Sequence, residues 1–273
     1  MEIKHILLKS LFDYRKNLKF VLPHAIEYLL DAAVFFIAVA ALFVIGFLLP
    51  SLAVEDLEAL YTQVSFFAIA FIIFSLLVFI LLLIFFNSAA RAVIIGMAGE
   101  SFHDRRAALS KGLESAKKHG LEIFLFQILL GATYVALVLA ALLSVKFLAK
   151  GNFFLAAAGL LIFLICFSIF FLFYILTLFV PQEVVLRERG LIEGFRGSFL
   201  FVRKHFKAVI SYGAAASVVI VSVGVLFMGI GFLGAGKLFA KILQNLFALI
   251  VGLVVAPYFE IVKTYMVAGE AHG

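Results

Sequence analysis

From Phe66 to Phe86 the chain carries a single polar side chain, Ser75. A membrane-spanning helix needs about 20 predominantly apolar residues, and this run is long enough. Five others qualify as well, so the six fall at roughly 28–49, 65–86, 121–145, 153–180, 208–234 and 240–262. In hydrocarbon every backbone N–H and C=O must find its partner within the protein, which favours helices. The short alternating strands of a β-barrel are absent. Composition agrees, with 66% apolar and 14% charged residues, where soluble domains run at about half and about a quarter. The sequence predicts an all-α integral membrane protein with six transmembrane helices. Pro50 and Pro181 are expected to close the first and fourth spans, and Pro257 to kink the sixth. The glycines at 229, 231, 234 and 236 are expected to end the fifth.

Charge sets the orientation. Of the 22 Lys and Arg, all but Lys146, Lys150, Lys237 and Lys241 fall in the N-terminal segment, the loops after the second and fourth spans, or the C-terminal end. The opposite loop, 50–64, has Glu55, Asp56 and Glu58 and no basic residue. Cytoplasmic loops concentrate Lys and Arg. Both termini are therefore expected in the cytoplasm of a plasma-membrane protein, with short outer loops and no outer domain. The start, polar and basic, lacks the apolar core and small-residue cleavage site of a signal peptide. Cys166 is the only cysteine, so no disulfide forms within the chain.

Three basic pairs, Arg15-Lys16, Lys117-Lys118 and Arg203-Lys204, each precede an odd-numbered span. Upstream of the third, Leu191, Phe195, Phe199, Val202 and Phe206 recur at helical spacing, as do Ile3, Leu7, Leu11, Tyr14 and Leu18 before the first. Each series forms an apolar stripe along one helix face. The middle copy is weaker, with Leu109, Leu113 and Ala116, and its start at Ser101-Phe-His-Asp104 has the spacing of a capping box. The endings correspond too: Met97-Ala-Gly-Glu100 and Val267-Ala-Gly-Glu270. The chain is thus expected to be one membrane domain of three parallel repeats, 1–100, 101–190 and 191–273. Each repeat is a cytoplasmic amphipathic helix followed by a transmembrane hairpin, about a pseudo-threefold axis along the membrane normal.

An apolar face with a basic rim lies in the membrane interface, where each Lys or Arg near an anionic leaflet contributes about 1 kcal/mol. Arg15, Lys16, Lys117, Lys118, Arg203 and Lys204 are the candidate contacts to anionic lipid head groups. The simpler role of these helices is to anchor and orient the hairpins. A small residue in each, Ser10, Gly112 or Ser198, would admit a neighbouring backbone.

The pattern small–bulky–x–x–x–basic–x–Asn/His is carried by Ser198, Phe199, Arg203 and His205, and again by Ser10, Leu11, Arg15 and Asn17. It resembles a group of bacterial and archaeal polytopic proteins that includes the membrane domain ahead of some glycerophosphodiester phosphodiesterases. In those fusions the resemblance implies that catalysis belongs to a separate soluble domain. Nothing here corresponds to that domain, and no catalytic residue carries over.

Chemistry is sparse. The six histidines form no HExxH or i, i+4 ligand pair, and no phosphate-binding loop or nucleophile elbow occurs. No enzyme, cofactor, metal site or nucleic-acid partner is expected, and protein partners are not readable. A solvated or lipid-facing role is expected for His119 and His205. Intramembrane charge is the better lead, because an acidic residue at mid-helix costs about 2.5–3.5 kcal/mol on insertion scales. Asp31 is the clearest case, with Glu27 one turn before it. Arg91, Glu183 and Glu260 stand at roughly equivalent repeat positions. They are expected to gather with Asp31 at the cytoplasmic end, the Arg between carboxylates. Two roles follow: a non-enzymatic lipid-interacting or scaffolding protein, or a transporter using a cavity between the repeats near Asp31.

Overall fold

The computed structural model describes residues 3–51, 57–104, 106–148, 153–232 and 237–270. Helix α1 (Ile3–Lys16) leads through a 3-10 turn (Leu18–Val21) into α2 (Leu22–Ser51), and α3 (Leu57–Asp104) returns beside it. Next come α4 (Leu109–Leu148), α5 (Phe153–Thr177), the short α6 (Val180–Leu186), α7 (Leu191–Lys204), α8 (Phe206–Phe232) and α9 (Lys237–Glu270). Among the described residues there is no strand, and α2, α3, α4, α5, α8 and α9 are long and apolar enough to cross a membrane.

These six pair as hairpins, α2 with α3, α4 with α5 and α8 with α9. Helix α9 also meets α1, α2, α3 and α6. Its stretch Glu260–Ala268 is buried without interruption, which makes it the hub of the core. The basic segments meet at this same end. Lys9 Nζ sits 3.7 Å over the Phe102 ring, the Ala107 N–H donates to Asn17 Oδ1 (3.4 Å), and Lys204 pairs with Glu270 at the end of α9. Tyr265 Oη donates to Asp13 Oδ2 (2.7 Å) and lies 3.2 Å from Ser101 Oγ, tying α1, α3 and α9. Away from this end the side chains face outward. Phe36 is 70% and Leu29 71% exposed, and nothing is buried in the most apolar stretch of α3. Such all-round apolar surface suits a helix solvated by lipid.

Several expected boundaries move. The middle amphipathic segment is not a separate helix, because α4 continues from Leu109 straight into its span. Ser101–Asp104 is the last turn of α3 and caps nothing; wholly buried Ser101 is engaged with Tyr265 instead. Pro50 lies in the final turn of α2, and α9 runs on through Pro257. Gly229 and Gly231 remain inside α8, whereas Gly234 and Gly236 lie outside the described residues.

The fourth span does break near its proline. Pro181 cannot donate to Thr177 and disfavours helical backbone before it, so α5 stops at Thr177 and Pro181 enters the first turn of α6. The break frees a carbonyl and an amide. The hydroxyl of fully buried Ser198 in α7 serves both, donating to Leu176 O (2.6 Å) and accepting from Phe179 N (3.2 Å).

The other two small residues are buried as well. A Cβ on Gly112 would stand 2.7 Å from the carbonyl oxygen of Val93, so α4 lies directly on the α3 backbone. Ser10 is 0% exposed, with its hydroxyl donating to Ile6 O (2.8 Å). Small and polar residues thus face inward, and the expected apolar stripes are split. In α7 the buried face is Gly194, Gly197, Ser198, Phe201 and Val202, while Phe199 and Phe206 are exposed. In α1 it is Ile6, Ser10, Asp13 and Tyr14, with Leu8, Leu11 and Phe12 outward beside Arg15 and Lys16.

Ser198→Ala should lower stability by about 1–3 kcal/mol, because two buried backbone groups lose their partner. Thermal unfolding in detergent checks it. Gly112→Ala should destabilise by about 1–3 kcal/mol through the backbone clash. Gly120→Ala, where a Cβ meets nothing within 4 Å, should be neutral or stabilising by up to about 1 kcal/mol.

Candidate functional site

Between α3, α4, α5, α8 and α9 lies a cleft of about 570 Å³, within the usual range of roughly 300–1,000 Å³ for ligand sites. Its wall is apolar, with Phe126, Leu130, Ile175, Val209, Ile220 and Phe259 among the lining. Gly213, Ala214, Ala216 and Ser217 of α8 open the space, since small side chains leave a groove where larger ones would fill it. Phe171, Tyr174, Ile210 and Ile220 are exposed on the outer surface, so the cleft reaches the face that lipid would cover.

One end is charged. Arg91 from α3 and Glu260 and Lys263 from α9 line the cleft there, beside Tyr174 and Tyr212. Arg91 Nε and Nη2 each approach Glu260 Oε1 at 2.8 Å, and Lys263 Nζ stands 2.7 Å from the same oxygen. Gln182 Nε2 of α6 donates to Glu260 Oε2 (2.9 Å). The lysine and glutamate side chains are only 4% and 10% exposed. One carboxylate therefore ties α3, α6 and α9 together and orients two cations.

The four residues expected to cluster are divided. Arg91 and Glu260 are paired. Glu183, adjacent to Gln182 and fully buried, is held by Arg189 Nη1 (2.7 Å) and Arg187 Nε (3.6 Å) instead. Asp31 does not line the cleft; its Oδ1 is buried without a hydrogen-bond partner among the described residues. Glu183 and Glu260 do not share one Arg: Gln182 is the α6 residue that reaches Glu260, and its neighbour Glu183 meets Arg187 and Arg189.

A second, partly buried polar chain was not assembled from the sequence. His24 Nδ1 pairs with Glu27 Oε2, Asn87 Nδ2 donates to Glu27 Oε1 (2.6 Å), and Gln127 Nε2 donates to Asn87 Oδ1 (2.9 Å). It links α2, α3 and α4, and Asn87 stands one turn before Arg91. The available signal was polar residues at the ends of three different spans; nothing local indicated that they meet. His119 and His205 are both paired with glutamates. The first is buried against Glu122 (2.9 Å), and the second faces Glu270 (3.2 Å). Among the described residues no group of three or more His, Cys, Asp or Glu could hold a metal.

The six basic candidates are all exposed on the basic end. Lys118 meets Glu188 (2.7 Å), which holds that carboxyl below its usual range; both groups are more than half exposed, so the pair contributes little. Lys204 joins Arg187 on Glu270 (2.9 and 2.5 Å).

A family model described as Domain of unknown function (DUF7847) matches residues 88–269, a stretch that contains every residue lining the cleft. No curated protein and no solved structure matches the chain.

Arg91→Ala should cost about 3–5 kcal/mol, since it strips a nearly buried carboxylate of its main partner. The double variant Arg91→Ala/Glu260→Ala should recover part of that loss, read as a thermal midpoint in detergent. Asn87→Ala should cost about 1–3 kcal/mol by leaving Glu27 and Gln127 without their bridge.

Proposed function

The chain belongs to the DUF7847 family, and from that premise we propose that it is a non-enzymatic, lipid-interacting protein of the plasma membrane. The observation that carries this reading is the apolar cleft with one charged end, open to the face that lipid covers. An acyl chain matches such a wall because it needs no polar partners. The outward faces of α1 and α7 support the same reading. They set Leu8, Leu11 and Phe12, or Ile192, Phe199 and Leu200, beside exposed Arg and Lys. That combination favours the interface of an anionic leaflet. Arg15, Lys16, Lys117, Lys118, Arg203 and Lys204 form the rim, and the basic end with both termini faces the cytoplasm.

Three parallel repeats are part of the proposal. Each basic segment lies against the end of the spanning helix before it: the start of α4 on α3, α7 on α5 and α6, and, closing the ring, α1 on α9. That cyclic order is what a pseudo-threefold arrangement requires. The resemblance to the membrane domain of some phosphodiesterase fusions agrees with a membrane role and adds no catalytic group.

Transport is the second reading. The observation in its favour is the polar chain from His24 to Gln127, with Asp31 one turn beyond Glu27 and its Oδ1 without a hydrogen-bond partner among the described residues. Polar groups inside a membrane mark substrate paths, but the cleft does not reach Asp31. Movement of a fluorescent phospholipid between leaflets of proteoliposomes, abolished by Asp31→Asn, would select it.

Gly213→Leu tests the primary reading. A Cβ there meets nothing within 4 Å, so the side chain enters the cleft without a backbone clash. The variant should fold and lose most co-purifying lipid in native mass spectrometry after gentle extraction. Unchanged lipid in a folded variant would rule the cleft out as the lipid site. In a Cys166→Ser background, Lys204→Cys should react with an impermeant maleimide only after the cell membrane is opened.

A further inference from the structure

The charged end of the cleft is not balanced. Arg91 and Lys263 bring two positive charges to a single carboxylate, Glu260. The other elements lining the cleft add no compensating group: α4, α5 and α8 contribute Tyr174, Thr177, Tyr212, Ser217 and apolar residues. Glu183, next to Gln182 in the chain, is committed to Arg187 and Arg189. Both oxygens of Glu260 are occupied, Oε1 by Arg91 and Lys263 and Oε2 by Gln182. The cations are not saturated. A guanidinium has five N–H donors and an ammonium three, whereas Arg91 uses Nε and Nη2 here and Lys263 donates to one oxygen. Lys263 is almost fully buried, and an unpaired charge away from water is costly unless an anion meets it.

We infer that the cleft takes an amphiphile with a single negative charge, its carboxylate or phosphodiester bound by Arg91 and Lys263 and its acyl chain along α8. The inference rests on the lipid reading above and narrows it to a head-group class. One anionic group would balance the excess charge. A zwitterionic head would bring its own cation beside Arg91 and Lys263, and a neutral one would leave the excess unmet. The acyl part belongs on the apolar wall beneath the small residues Gly213, Ala214 and Ala216.

The test uses the full chain in lipid nanodiscs of defined composition, read by native mass spectrometry. Phosphatidylglycerol, oleate, phosphatidylcholine and diacylglycerol compete at equal mole fraction, and inorganic phosphate is added separately. Phosphatidylglycerol and oleate should be retained over the other two by roughly tenfold or more, the scale of one charge-assisted hydrogen bond. Lys263→Gln, which leaves a neutral Arg91–Glu260 pair, should bring that preference to within about threefold of unity, and Lys263→Arg should restore it. Equal retention of all four lipids by the wild-type chain, with loss in Gly213→Leu, would overturn this inference and leave the lipid reading standing. No retention of any lipid, or retention unaffected by Gly213→Leu, would overturn both. Stabilisation by inorganic phosphate equal to that by phosphatidylglycerol, removed by Lys263→Gln, would make the ligand a free anion and overturn the amphiphile.

Discussion

Glu260 is the point on which the basic end of the bundle depends. Its two oxygens collect donors from α3, α6 and α9, and the residues after it form the continuously buried stretch of α9. A carboxylate so enclosed is stable only while its partners stay in place. That requirement sets the register of α3 against α9. It also holds α6, a single short helix, under the span from which it was broken. The Tyr265–Asp13 bond, one turn further on, adds α1 to the same assembly.

Lipid as solvent explains why the apolar residues are not where a soluble fold would put them. Association between spans gains nothing from excluding water, so close backbone approach and hydrogen bonding must hold the helices together. The inward faces of α1, α4 and α7 are accordingly built from Ser10, Gly112, Gly194, Gly197 and Ser198. Among the described residues no leucine is buried, whereas Phe20, Phe126, Phe179 and Phe201 are. The cleft follows from the same economy of size: a run of small residues on α8 packs closely where a neighbour is near and leaves a groove where none is.

Much of the architecture was legible in sequence. The six spans, the joining of the basic segments at one end and the burial of Ser10, Gly112 and Ser198 follow from run length, charge placement and residue size. The apolar stripes, expected in the membrane interface, are split: Tyr14 and Val202 turn inward while Leu11 and Phe199 stay outside. Hydrophobic periodicity identifies a face but not its solvent, and at an interface the apolar face can point to lipid. The helix ends were misplaced for a related reason. In Ser101–Asp104 the capping spacing was present, but wholly buried Ser101 was already engaged by Tyr265 from α9, far away in the chain.

By itself, the sequence determined an all-helical chain with six helices long and apolar enough to cross a membrane and with concentrated basic charge, because length, hydropathy and charge act locally. It also marked Arg91, Glu183, Glu260 and Asp31 as costly to bury. Only the tertiary structure decided which of them meet. Arg91 found Glu260, Glu183 found Arg187 and Arg189, and Asp31 was left without a hydrogen bond among the described residues. Pairing depends on where helices cross and on a break near Pro181 that makes α6 a separate helix, and neither is encoded in the spacing of the charges along the chain.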